Sequence, residues 1–189
     1  PKYVSAGIWQ DVELHVWNKA KINNVQYSVE KLDSAEASVL FKMEVESDQE
    51  FFGSVLLQCP DFNISQIIEK VPFANGKSTL EYVIRIQNPK FWWTHNLGEP
   101  FLYHFDVKIA HDKELIDRVN LKIGLRTIEL VQEPDQHGAS FYFTLNGVPV
   151  FMKGANYVPQ SSFPGGVSEH EYRQLISDAK NANMNMLRV

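Results

Sequence analysis

Between Lys19 and Lys122 apolar and polar residues alternate with a period of two. Val25, Tyr27 and Val29 make one such run, and Ala37, Val39, Phe41, Met43 and Val45 make a longer one, interleaved with Ser38, Lys42, Glu44 and Glu46. Successive side chains of a strand point to opposite faces, so each run predicts a strand with one face in a core. Phe51 to Cys59 is more continuously apolar, and later runs follow at Leu80, Tyr82, Ile84 and Ile86, at Leu102 to Ile109, and at Leu115 to Leu130. In Leu102 to Ile109 the pleat sets Leu102, His104, Asp106 and Lys108 against Tyr103, Phe105, Val107 and Ile109. Turn-forming residues at Ser47 to Glu50, Ala74 to Gly76 and His111 to Lys113 separate the runs. Roughly seven short strands over about a hundred residues, with no helical period, is the count of an immunoglobulin-like β-sandwich.

The pattern differs at the two ends. Near the start, Val12, Leu14 and Val16 alternate with Glu13, His15 and Trp17, which predicts a further strand to about residue 17. Past the sandwich, Phe141, Phe143 and Leu145 alternate up to Asn146 and Gly147, a dipeptide suited to the positive φ angles of a tight hairpin turn, and Val148 and Val150 carry the chain back. Beyond that the period changes. Phe151 to Tyr157 reads as a strand, and Ser168 followed by Glu171 is a capping box that opens a helix. The spacing predicts that this helix buries Tyr172, Leu175, Ile176 and Ala179, pairs Glu169 with Arg173 outside, and stops near Asn181 to Asn183. Met184, Met186, Leu187 and Val189 then predict a second strand parallel to the first. Together these make a βαβ unit.

Composition narrows the chemistry. Of 189 residues, 44% are hydrophobic and 12% aromatic, enough for a sizeable core and unlike a disordered chain. A net charge of -5 without a basic cluster predicts neither a nucleic-acid nor an anionic-membrane surface, and no apolar run approaches a membrane span. Cys59 is the only cysteine, which precludes an intrachain disulfide, and Asn63, Ile64 and Ser65 form an acceptor triplet of low specificity. His95, His104, His111, His137 and His170 lack metal-ligand spacing, so no metal or other cofactor is expected.

Few residues offer catalysis. Glu129, Glu133 and Asp135 flank a Pro134 and Gly138 loop and read as a solvated linker, because a pair of catalytic carboxylates must be held at a fixed separation by rigid elements, which a mobile loop cannot do. Trp9 and the Trp92–Trp93 pair could stack on a sugar face or pack structurally, the more usual use of large aromatics. Arg188 lies at the end of an apolar strand, where a buried guanidinium needs an anionic partner.

Four stretches in order resemble glycoside hydrolase family 2: GIWQDVEL from Gly7, PKFWWTHNLGEPFLYHFDV from Pro89, GLRTIE from Gly124 and FTLNGVPVFMKGAN from Phe143. Within that family the double Trp and the runs KGANYVPQSSF and NANMNMLRV are most similar to the β-mannosidases. The resemblance implies three parts. Residues 1–17 would close a sugar-binding jelly roll, residues 18–130 would be the sandwich, and residues 131–189 would open a (β/α)8 catalytic barrel. It also implies retaining hydrolysis of terminal β-mannosides by two glutamates supplied after Val189, leaving these residues inactive by themselves. Arg188 would then orient and ionise the nucleophilic glutamate, or alternatively serve only as a member of a structural ion pair. Asn156 would line the site, and Ser161 stands where these enzymes often carry an acidic residue, which leaves the sugar specificity open. The implied partners are a β-mannoside oligosaccharide and the adjoining jelly-roll and barrel domains, in a periplasmic, secreted or lysosomal setting. Another exo-glycosidase of the family, a carbohydrate-binding module or an interdomain scaffold would carry many of the same features.

Overall fold

The computed structural model describes residues 7–8, 11–161 and 164–189; Trp9 lies outside them. The chain divides at Val150 into two compact units, the first running from Trp17 to Val150 and the second containing Phe151–Val189.

The first unit is built on seven antiparallel strands: β1 (Ala20–Leu32), β2 (Glu36–Ser47), β3 (Phe51–Cys59), β4 (Ile64–Phe73), β5 (Gly76–Gln87), β6 (Tyr103–His111) and β7 (Glu114–Ile123). They form two sheets, ordered β1-β2-β5 and β4-β3-β6-β7, the layering expected of the sandwich. Alternation decides which side chains meet between them. Val39, Phe41, Met43 and Val45 of β2 are fully buried, as are Val55, Leu57 and Cys59 of β3 and Val107 and Ile109 of β6. The Phe41 and Phe105 rings meet at 5.0 Å between centroids, one from each sheet. Each such large apolar side chain contributes about 1.5–3 kcal/mol by leaving water. On the outer face of the second sheet, Arg118 donates to Asp106 at 2.7 Å and Lys108 stands 3.5 Å from the same carboxylate.

Two strand readings need correction. The apolar run Leu115 to Leu130 is two strands, because the backbone leaves the ladder after Ile123 and resumes in β8 (Ile128–Val131). Strand β4 has no counterpart among the predicted runs. Its pairing with β3 shifts between Gly53–Val71 and Val55–Ile68, and Lys70 takes a positive φ of 55° there. That bulge inserts a residue and inverts the parity of the apolar positions halfway along the strand.

Strand β8 pairs with β9 (Tyr142–Leu145), and β9 with β10 (Val148–Val150), in a third small sheet. Asn146 and Gly147 turn between β9 and β10 with φ of 52° and 76°, the primed hairpin expected. The first compact unit includes β8, β9 and β10 and ends at Val150, with β8 and β9 hydrogen-bonded to each other.

In the second unit, β11 (Gly154–Asn156) and β12 (Met186–Arg188) pair in parallel, with α1 (Glu169–Asn181) between them in sequence. The Ser168 hydroxyl accepts from the Glu171 N–H and the Glu171 carboxylate accepts from the Ser168 N–H, so the capping box forms and Arg173 pairs with Glu169. The expected burial does not follow. Tyr172 is 42% and Ile176 59% exposed, Leu175 and Ala179 are half-buried, and α1 has no buried residue. Two strands of three residues present too little surface to cover a helix stripe roughly 100° wide. Residues 11–17 likewise pair with no strand among the described residues, and Val12, Leu14 and Val16 are exposed.

Candidate functional site

Two of the three residues singled out from the sequence are brought together by the parallel pair. Asn156 ends β11, Arg188 ends β12, and the two are register partners. Partners in adjacent strands share a face of the sheet, so both side chains stand side by side at the carboxyl ends of the strands. The Tyr157 N–H donates to the Arg188 carbonyl at 2.8 Å, which extends the ladder one step past them. Both residues are exposed, and Arg188 has no acidic partner among the described residues. Here the sequence argument is corrected: an exposed guanidinium carries no desolvation cost that demands a counter-ion. What remains is an amide and a free cation at one rim, a pair able to orient an anion or hydrogen-bond a polyol. Ser161 belongs to the loop after β11, half-buried, with its Oγ 3.1 Å from where a Cβ on Gly166 would lie. It is not part of the strand pair.

Asn185, just before β12, escaped the sequence reading. Its Oδ1 accepts from the Lys153 N–H at 2.8 Å, its Nδ2 donates to the Phe151 carbonyl at 3.0 Å, and its backbone N–H donates to the Lys153 carbonyl at 2.8 Å. It stands within the run NANMNMLRV, between Met184 and Met186, without a role assigned to it there.

The Trp92–Trp93 pair has a structural setting. The Trp92 N–H donates to the Leu125 carbonyl at 2.8 Å, and the Arg126 guanidinium lies 4.6 Å from the centre of the Trp92 ring. Gly124 allows this approach, since a Cβ there would come within 2.9 Å of the indole. Asn146 of the hairpin turn donates to the Trp92 carbonyl at 3.0 Å and accepts from the Thr127 N–H at 3.0 Å. Three stretches far apart in sequence are thus locked at one point. Trp93 is half-buried, with its ring against Gly98. Glu129, Glu133 and Asp135 are all exposed, and Asp135 closes a turn by accepting from the His137 N–H at 2.7 Å. Among the described residues no three His, Cys, Asp or Glu groups converge as metal ligands, and no helix is long and apolar enough to cross a membrane.

The model of the glycosyl hydrolases family 2 matches residues 20–126, more than half of the chain and all seven strands of the sandwich. The chain belongs to this family. Within family 2, it is 31% identical to the β-mannosidase of Bos taurus over its whole length, and it spans 22% of that protein. Among solved structures, the β-D-mannosidase of Dictyoglomus thermophilum superposes with a TM-score of 0.87 at 33% identity, covering 97% of this chain and 23% of the other. A putative β-galactosidase of Bacteroides fragilis shares the fold, with a TM-score of 0.72 at 15% identity over 90% of this chain and 26% of its own.

Proposed function

We propose that this chain is the sandwich and the first βαβ unit of the catalytic barrel of a retaining β-mannosidase. The observation that carries the reading is the placement of Asn156 beside Arg188 at the carboxyl ends of two parallel strands, in a chain similar to β-mannosidases from end to end. Barrel enzymes keep their chemistry at that end of the strands. In this reading residues 1–17 belong to a preceding sugar-binding domain. The two glutamates of the double displacement lie outside the 189 residues, one as nucleophile and one as acid/base, about 5 Å apart. Arg188 holds the nucleophile ionised and oriented through a charge-assisted hydrogen bond. Asn156 contributes its amide to the rim, and Ser161 lies in the loop that would reach the sugar.

The experiment is hydrolysis of aryl glycosides by the protein that carries this chain at full length. Turnover of the β-mannoside in preference to the β-galactoside, β-glucuronide and β-glucosaminide is expected, with β-mannose as the first product seen by NMR. Arg188→Ala is expected to lower kcat/KM about 100-fold or more, and the 189 residues alone are expected to turn over nothing. Preference for another glycoside would move the enzyme elsewhere in the family. An undiminished Arg188→Ala variant would remove the role given to that residue.

A further inference from the structure

Only three residues on each side pair β11 with β12. Parallel hydrogen bonds are evenly spaced, so a ladder this short is met almost as well one residue out of register. The rim is sensitive to that choice. A slip of one sets Arg188 opposite Ala155 or Tyr157 and turns it to the face away from Asn156.

Two features at the other end of the pair remove the ambiguity. Asn185 takes up both backbone groups of Lys153 and, through its amide, the carbonyl of Phe151. At the next position a Cβ on Gly154 would press on the Met186 carbonyl oxygen and come within 2.8 Å of its carbon. A slipped register would bring Lys153 or Ala155, each with a Cβ, to that contact. The donor and the acceptor of Asn185 sit on one short planar group, a combination that Asp lacks when ionised and Ala lacks altogether.

We infer that Asn185 is a positioning residue for the reaction, setting the register that holds Arg188 beside Asn156 and acting on the chemistry only through Arg188. The inference rests on the role proposed for Arg188. A double-mutant cycle in the full-length protein tests it, with kcat and KM on an aryl β-mannoside and a thermal melt for every variant. Asn185→Ala is expected to lower kcat about 10- to 100-fold with KM little changed and the protein folded at the assay temperature. In an Arg188→Lys background, where the planar fork is already lost, the same substitution is expected to cost about twofold or less, because coupled residues do not act additively. Asn185→Asp, which keeps the acceptor toward Lys153, is expected to fall between and takes the place of Asn185→Ala in the cycle if that variant does not fold. Losses that multiply across the cycle overturn the inference, as does a lowered melting temperature with unchanged kcat per folded molecule. Either result leaves the role of Arg188 intact, whereas an Arg188→Ala enzyme of full activity defeats the underlying reading.

Discussion

The sandwich and the βαβ unit are written in the same two-letter pattern of apolar and polar residues, yet they end in opposite states. In the first unit the alternation closes on itself, and the sheet β1-β2-β5 buries its inner face against β4-β3-β6-β7. In the second unit an equally regular helical stripe leaves Tyr172 and Ile176 exposed, and among the described residues every core residue lies between Ala20 and Val150. Periodicity therefore tells which face seeks cover, and says nothing of whether the cover is in the same 189 residues. Only the count of facing elements decides that.

Substitution in the two units should separate them sharply. Phe41, fully buried and in contact with the Phe105 ring, is expected to cost about 3–5 kcal/mol on replacement by Ala, since a cavity is added to the lost transfer energy. The melting temperature of the chain should fall by roughly 10 °C or more. Leu175→Ala, at a half-buried position of a largely exposed helix, should change it by less than about 1 kcal/mol. In the full-length protein the cost of Leu175→Ala should rise to about 2–5 kcal/mol if a further element covers the stripe. Equal costs in the two settings would mean that the helix face stays open to water.

The junction around Trp92 falls between these extremes. Its ring is half-buried and its contacts with Gly124, Arg126 and Asn146 join the sandwich to the hairpin, so Trp92→Ala is expected to cost about 2 kcal/mol. Isothermal titration of manno-oligosaccharides into wild type and variant supplies the contrast. With the ring taken up by protein contacts, neither should bind, and saturable binding lost in the variant would restore the stacking role.

These contrasts also mark where sequence reasoning succeeds. The strands of β2 and β6, the Asn146–Gly147 turn and the Ser168–Glu171 capping box were legible because each depends on residues a few positions apart. Strand β4 was not, since the bulge at Lys70 inverts the parity between Ile68 and Val71 and no propensity announces a bulge. The shared rim of Asn156 and Arg188 could be anticipated from the order of strand, helix and strand. The exposure of Arg188 could not, because burial depends on what else surrounds it. Asn185 stood within the run NANMNMLRV, but its role was unread for a further reason: its partners are the backbone groups of Phe151 and Lys153, which carry no side-chain signature.

The smallest expected effect depends on pH, and each unit carries one instance. Asp106 in the sandwich is held below the usual carboxylate range by its hydrogen bond to Arg118, against the opposing pull of desolvation, with the charges of Arg118 and Lys108 assisting. Glu171 at the start of α1 is lowered by hydrogen bonds from the Ser168 backbone and hydroxyl. A carboxylate whose folded pKa is depressed stabilises the protein above its unfolded value, about 3.9 for Asp, and the contribution fades as the pH falls through the folded value. Asp106 lies on the sheet that closes the sandwich core, so Asp106→Asn should lower the melting temperature at pH 6 by an amount equivalent to at most about 1 kcal/mol. The gap between wild type and variant should narrow below about pH 4 and close once wild-type Asp106 is itself protonated. Glu171→Gln should leave that melting temperature unchanged at every pH, because a helix with no buried residue contributes nothing to the sandwich transition. A pH-dependent shift of the main transition in Glu171→Gln would show that helix and sandwich melt as one.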